Sequence, residues 1–312
     1  MQNKVNLVGM EALNELESSD ARIIGYLFWY SIFEADIPKE HLEELLHECN
    51  LEQYMLNSIH PNDAFRRAAK SIEKKSKKED SNYSGVTQNY LVSGFDTTTE
   101  IVRHLVVETI DKNNQSLHYD PETAIIKFEK ETENISYSSK TARAASLAEE
   151  VKDMYYHCLN YYGSRHIREL VSKVLASMAP IPVRPTGGVF FVPAKHEAKL
   201  KNLLSLIKKI GESEGFRVPL VNSLENKDMV RLKLDAHIRS AIQESANFLR
   251  SGSENGAVGK KALANIKEIL KNFSDYEDAC SLSLEEMNDM TGILKKQAAV
   301  IIDRITEIKA NK

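Results

Sequence analysis

The sequence predicts an α+β fold: a helical N-terminal unit, an antiparallel meander with a winged-helix-like segment, and a C-terminal helical hairpin. Three observations carry this expectation. Apolar residues recur at three- and four-residue steps through most of the chain. Between about residues 90 and 138 the period shortens and β-branched and aromatic residues dominate. Near the C-terminus the helical period narrows to a heptad. With 312 residues, 42% hydrophobic and 28% charged, the chain has room for two or three compact units. The expected division is 1–80, 81–250 and 251–312.

Residues 20–35, ARIIGYLFWYSIFEAD, are apolar on most sides, with Ile23, Ile24, Leu27, Phe28 and the single tryptophan, Trp29. That pattern predicts a short helix buried by its neighbours. Asp36 and Pro38 open a second helix with Leu42, Leu45 and Leu46 on one face, and Pro61 opens a third with Phe65, Ala68, Ala69 and Ile72. The polar KKEDSNYSG that follows reads as a linker.

YLVSGF, EIVRHLVVETI and TAIIKFE are separated by DKNNQ and by Asp120-Pro121, and predict a meander ending near residues 135–138. Helical spacing returns over 141–162, with Leu147, Val151, Tyr155 and Cys158 on one stripe and Gly163 where a left-handed terminator would sit. Ser164 is placed to cap the next helix, which carries Ile167, Leu170, Val171, Val174 and Leu175 and ends at Pro180. IPVRPTGGVFFVP predicts two short strands around a turn at Gly187 and Gly188. A helix with Leu200, Leu203, Leu204 and Ile207 follows, then two candidate strands, FRVPLV and MVRLKL, and a helix ending near Leu249. SGSENGAVGK at 251–260 has the composition of a linker. Ser283 and Glu286 form a capping-box signal.

Beyond it, Met287, Thr291, Leu294, Ala298, Ile301, Ile305 and Ile308 alternate at four- and three-residue steps. Ala262, Ile266, Ile269 and Phe273 offer an answering stripe, so a hairpin is expected. A seam of this kind serves either intramolecular pairing or association with a partner or a second copy, because a heptad does not say where its second strand comes from.

Lys+Arg at 41 against Asp+Glu at 45 gives a net charge of -4, which leaves the whole molecule without an overall pull toward nucleic acid or anionic membranes. The charge is uneven, however. Residues 1–60 are strongly acidic, whereas Arg66, Arg67, Lys70, Lys74, Lys75, Lys77 and Lys78 crowd one stretch. Such a stretch would bind phosphates by charge alone; the plainer account is a solvated helix end that offsets nearby acids. The helices and Gly-Gly hairpin over 164–210 have a winged-helix outline, with Arg165, His166, Arg168 and Lys173 on the helix and Arg184 on the wing.

Catalytic signals are missing. Around Gly256, Gly259, Lys260 and Lys261, Glu254 stands where a phosphate loop needs its first glycine, and Lys261 stands where it needs a hydroxyl for magnesium. His157 and Cys158 are adjacent on a helix, about 100° apart, so with His166 they make a poor metal set. After Asp120, Ile125 occupies the carboxylate position of a nuclease-type strand that would use Lys127. Cys49, Cys158 and Cys280 have no paired spacing. No cofactor or metal is implied, and the absence of a secretory start or a long apolar run suggests a cytoplasmic protein.

PNDAFRRA at 61–68 and VRPTGGVFFVP at 183–193 resemble the two most distinctive segments of an uncharacterised protein family of bacteria, phages and other mobile elements, with similarity reaching to about residue 250. The resemblance implies a phage, plasmid or defence setting and supplies no catalytic residues. The expected function is that of a non-enzymatic interaction or assembly protein, acting through the seam of Met287, Leu294, Ile301, Ile305 and Ile308. The alternative is a nucleic-acid-binding accessory protein using the 66–78 segment and Arg184.

Overall fold

The computed structural model describes residues 22–75, 79–80, 87–110, 116–184, 186, 188–251, 256–280 and 285–310. The linker residues 81–85, the DKNNQ turn, Gly187 and Ser283 lie outside these. The described chain is a mixture of helices and antiparallel sheet with a helical C-terminal region, and it divides into two compact units. Unit 1 comprises residues 22–35, 43–55 and the described residues from 164 onward; unit 2 comprises 36–42 and 56–163.

Unit 1 begins where a buried helix is expected and instead has a strand, β1 (Ile23–Ser31). It lies inside a four-stranded antiparallel sheet ordered β11 (Glu214–Val221), β1, β10 (Phe190–Pro193), β9 (Ile181–Pro182). An inner strand covered on both faces shows the same unbroken apolar run as a short buried helix, and only the β-branched and aromatic bias separates the two. Ile24, Tyr26 and Phe28 are buried. Leu27 packs against the core shared with the C-terminal helices, while Tyr26 meets Glu197 at the start of a helix on the other face.

The candidate wing is corrected by the same sheet. β10 pairs with β9 on one side and with β1 on the other, so the hairpin is built into the four-stranded sheet, with β9 as its edge strand. The expected recognition helix, Ser164–Ala176, buries Ile167, Leu170, Val171, Val174 and Leu175, and the Arg168 guanidinium donates to the Ile32 carbonyl at 2.7 Å.

The second candidate strand, MVRLKL, is also corrected: it lies within a 27-residue helix, Leu224–Arg250. Ser223 caps this helix by accepting from the Asn226 N–H. Val230, Leu234, Ile238, Ala241, Ser245 and Phe248 are buried at three- and four-residue steps, a period that outweighs the local β propensity of six residues. Two further helices, Gly256–Cys280 and Glu285–Ala310, complete a three-helix bundle. Residues 256–260, expected in a linker, are helical. A Cβ on Gly259 would stand 2.5 Å from the Phe248 ring, so glycine at that position lets two bundle helices approach closely.

Unit 2 matches its sequence pattern more closely. Five antiparallel strands follow in chain order, β3 (Glu79–Asp80), β4 (Thr87–Asp96), β5 (Glu100–Ile110), β6 (Ser116–Glu129) and β7 (Ile135–Ser139). Helices Pro61–Lys75 and Ala142–Asn160 pack with this sheet, where Phe65 stacks on Phe128 with ring centroids 5.0 Å apart and Tyr155 meets Phe128 tilted at 5.5 Å. Gly163 is no left-handed terminator: it belongs to a three-residue strand, β8 (Tyr161–Gly163), that pairs with β2 (Asp36–Pro38).

The expected N-terminal helical unit therefore does not form as such. The apolar face of Pro61–Lys75, with Phe65, Ala68, Ala69 and Ile72, is buried in the core of the meander. β1 belongs to the sheet of unit 1, which is completed far along the chain. A division at residue 80 would cut the first of these cores.

Candidate functional surfaces

For each bundle helix the arrangement of the apolar stripe decides what remains outside. In Glu285–Ala310 the expected seam residues Met287, Leu294, Ile301, Ile305 and Ile308 are all buried, together with Thr291. They pack in one core with Ala262, Ile266 and Ile269 of Gly256–Cys280 and with Leu234, Ile238 and Ala241 of Leu224–Arg250. The seam is thus filled from within the chain, by two helices rather than one. Of the two readings a heptad leaves open, intramolecular pairing is the one seen in this fold. The helix that sequence reasoning broke into a strand is the missing third member.

Beneath the outer edge of the bundle, Ser245 Oγ meets Gln297 Oε1 at 2.6 Å, and Gln297 Nε2 donates to the Ile242 carbonyl at 3.4 Å. This fixes the pairing of the first and third bundle helices. Along the junction runs an open groove of about 410 Å³, lined by Asp228, Arg231, Leu232, Asp235, Arg239, Met287 and Met290. Met290, Ile293, Gln297 and Val300 succeed one another on one face of the third helix. Leu232 is 68% exposed and Val300 52%. Both charges occur on the rim, where Arg239 and Asp235 pair at 2.7 Å.

The basic segment 66–78 is largely spoken for where it is described. The Arg66 guanidinium donates to Asp96 at 2.6 and 3.1 Å and to Asp63 at 2.7 Å. Asp96 also accepts from Arg103 at 2.9 Å, and the two arginines hold its carboxyl below the usual carboxylate range. Arg67 donates to the Cys158 carbonyl at 3.4 Å; burial pushes the Cys158 thiol up. Lys70 is exposed. Lys74 and Lys75 stand at the end of their helix with side chains outside the described residues, where Lys77 and Lys78 also lie. Arg184 belongs to the other unit, exposed beside β9.

Two polar clusters in unit 1 escaped sequence reasoning because their members lie far apart in the chain. Asp275 accepts from His196 at 2.8 Å and from Lys195, next to a cavity of about 80 Å³ that Arg22 and Asp278 also line. Burial raises the Asp275 carboxyl, but the two hydrogen bonds outweigh it and hold the pKa low. Burial likewise pushes His196 down, by more than Asp275 raises it. A buried carboxylate shared by two donors is a clasp between the segment after β10 and the second bundle helix.

The other cluster is Tyr54, Ser177 and Lys199. The Tyr54 hydroxyl donates to Ser177 Oγ at 2.6 Å, Lys199 donates to it at 3.2 Å, and Ser177 gives its own proton to the Val174 carbonyl at 2.7 Å. A nucleophilic serine needs a base that accepts its proton; here a main-chain oxygen takes it. The arrangement ties a helix end in place. Among the described residues no group of three or more His, Cys, Asp or Glu is placed to hold a metal ion, and no helix is long and apolar enough to cross a membrane.

A bundle beside a four-stranded sheet, together with a meander braced by two helices, defines an α+β protein of two units. The chain belongs to the family of unknown function DUF6744, whose match spans residues 23–310. The match includes the bundle and so reaches well past residue 250, where the resemblance was expected to end. No curated protein and no solved structure matches the chain.

Proposed function

We propose that this protein works by docking, as an assembly protein that pairs with a second copy of itself through the groove between the first and third bundle helices. The observation that supports the reading is the exposure of Leu232 and Val300 on a bundle whose own seam is filled. Leu232 lines the groove, and large apolar side chains left exposed favour a covering surface. The rim carries Asp228 and Asp235 beside Arg231 and Arg239. In a two-fold contact the same patch faces itself, so a patch of both signs can complement itself where a patch of one sign would repel.

The resemblance of residues 61–68 and 183–193 supports a phage, plasmid or defence setting. The genes beside this one test the setting.

The self-association is tested by light scattering on the full chain after gel filtration. The native protein is expected at twice the chain mass, and Leu232→Asp combined with Val300→Asp at the chain mass with an unchanged circular dichroism spectrum. Both substitutions are at exposed positions, so the fold tolerates them. A native chain of monomer mass at every concentration rejects the reading.

A further inference from the structure

Where β9 ends against the first bundle helix, unit 1 has a second groove, of about 380 Å³, and its lining has one sign of charge. Arg184, Lys233 and His237 line it with Val183 and Ser240, and no carboxylate does. Several other arginines are held by acids: Arg66 by Asp63 and Asp96, Arg103 by Asp96, Arg217 by Glu197, Arg239 by Asp235. Among the described residues no acid pairs with Arg184 or Lys233. In a protein with more acids than bases, two unpaired cations converging on a concave surface are a site for an anion rather than an average of the surface.

The third member is partly buried in the wall. The His237 imidazole is half-buried, and burial holds it toward its neutral form, which keeps one ring N–H to donate. Glu244, two turns along the same helix, is the acid that acts on His237; it also receives the Ser240 hydroxyl at 3.4 Å. An arginine fork, an ammonium and a neutral ring donor around one concavity match the oxygens of a tetrahedral oxyanion. Gly188, with φ of +64°, lets the hairpin fold back so that the Val183 N–H donates to the Val189 carbonyl at 2.9 Å, which positions Arg184 at the rim.

We infer that the groove of Arg184, Lys233 and His237 binds a phosphoryl group. That chemistry is offered by a free phosphate or phosphate monoester and by the backbone of a single-stranded nucleic acid. The inference does not depend on self-association, because the residues of the two grooves do not overlap.

The test uses the full-length protein with two probes, radiolabelled inorganic phosphate in equilibrium dialysis and a fluorescent single-stranded oligonucleotide in anisotropy. The site predicts saturable binding of at least one probe. Arg184→Gln combined with Lys233→Gln should weaken that binding by about tenfold or more, while Lys260→Gln, an exposed lysine elsewhere, changes it less than about twofold. His237→Gln, which keeps a donor, supplies a second variant and should weaken binding less than the double substitution. Equal melting temperatures show that the variants are folded.

Phosphate binding alone identifies a monoester site. Oligonucleotide binding that inorganic phosphate displaces, with a salt dependence flattened by about 0.7 per lost contact, identifies a nucleic-acid backbone. Binding of neither probe, or binding that the double substitution leaves intact, overturns the inference.

Discussion

Unit 1 and unit 2 solve the same packing problem in opposite ways. In unit 2 consecutive strands are neighbours from β3 to β7, so the sheet closes by local steps, and its two helices complete one core. In unit 1 the inner strand β1 finds both partners far along the chain, with Phe28 opposite Phe190 on one side and Arg217 on the other. One face of that sheet then joins the core of the bundle. A unit built from distant segments must close long loops before its contacts form, whereas a meander pairs by local steps. In unit 2 Asp96 gathers two arginines, while unit 1 leaves Arg184 and Lys233 without acidic partners among the described residues.

The contrast can be broken most severely in the cores. Leu294→Ala removes a fully buried side chain from the bundle and should cost about 2–5 kcal/mol, and Phe128→Ala in unit 2 about 3–5 kcal/mol. The single tryptophan, Trp29, lies in β1 and stacks on Phe216 at 5.6 Å, so its fluorescence follows unit 1. Leu294→Ala should lower the tryptophan transition. If Phe128→Ala moves that transition as far, the two cores melt as one and the comparison fails.

A smaller effect is expected at Gly25, where an added Cβ would meet the Phe191 ring at 2.4 Å and the Val192 carbonyl at 2.5 Å. Gly25→Ala should destabilise unit 1 by about 1–3 kcal/mol, read again from the tryptophan transition.

Acid should separate the units further. Burial depresses the folded-state pKa of both His196 and His237, so the unfolded chain binds more protons below about pH 6.5. Their contribution is complete above that pH and is lost as pH falls through the folded pKa values. The tryptophan melting temperature should therefore fall between pH 7.5 and 5. In unit 2 the depressed pKa of Asp96 contributes stability that is lost only as pH falls below about 4. A tryptophan transition indifferent to pH over the histidine range would contradict this. The smallest effect is expected from Asp96→Asn, which weakens exposed ion pairs and should cost below about 1 kcal/mol.

Much of unit 2 is legible from the sequence because its strands are rich in β-branched and aromatic residues and are punctuated by turns: EIVRHLVVETI is β5 residue for residue. β1 was not, since an inner strand covered on both sides loses alternation. The six residues of MVRLKL carry too little period to separate strand from helix, and only the stripe from Val230 to Phe248 settles it. The heptad seam was found correctly as a stripe, but its occupants could not be counted from one helix. Of the candidate site residues, Arg184 and Met287 line grooves, while Lys233 and His237 join Arg184 only through folding. The clasp of Lys195, His196 and Asp275 had no local signature either.

The docking surface is tested most directly by hydrogen exchange of the native chain at low and high protein concentration. Self-association through the bundle groove predicts slower exchange at high concentration in residues 228–239 and 287–300, with residues 100–110 of the meander unchanged. Exchange in the two bundle segments that does not respond to concentration would contradict it.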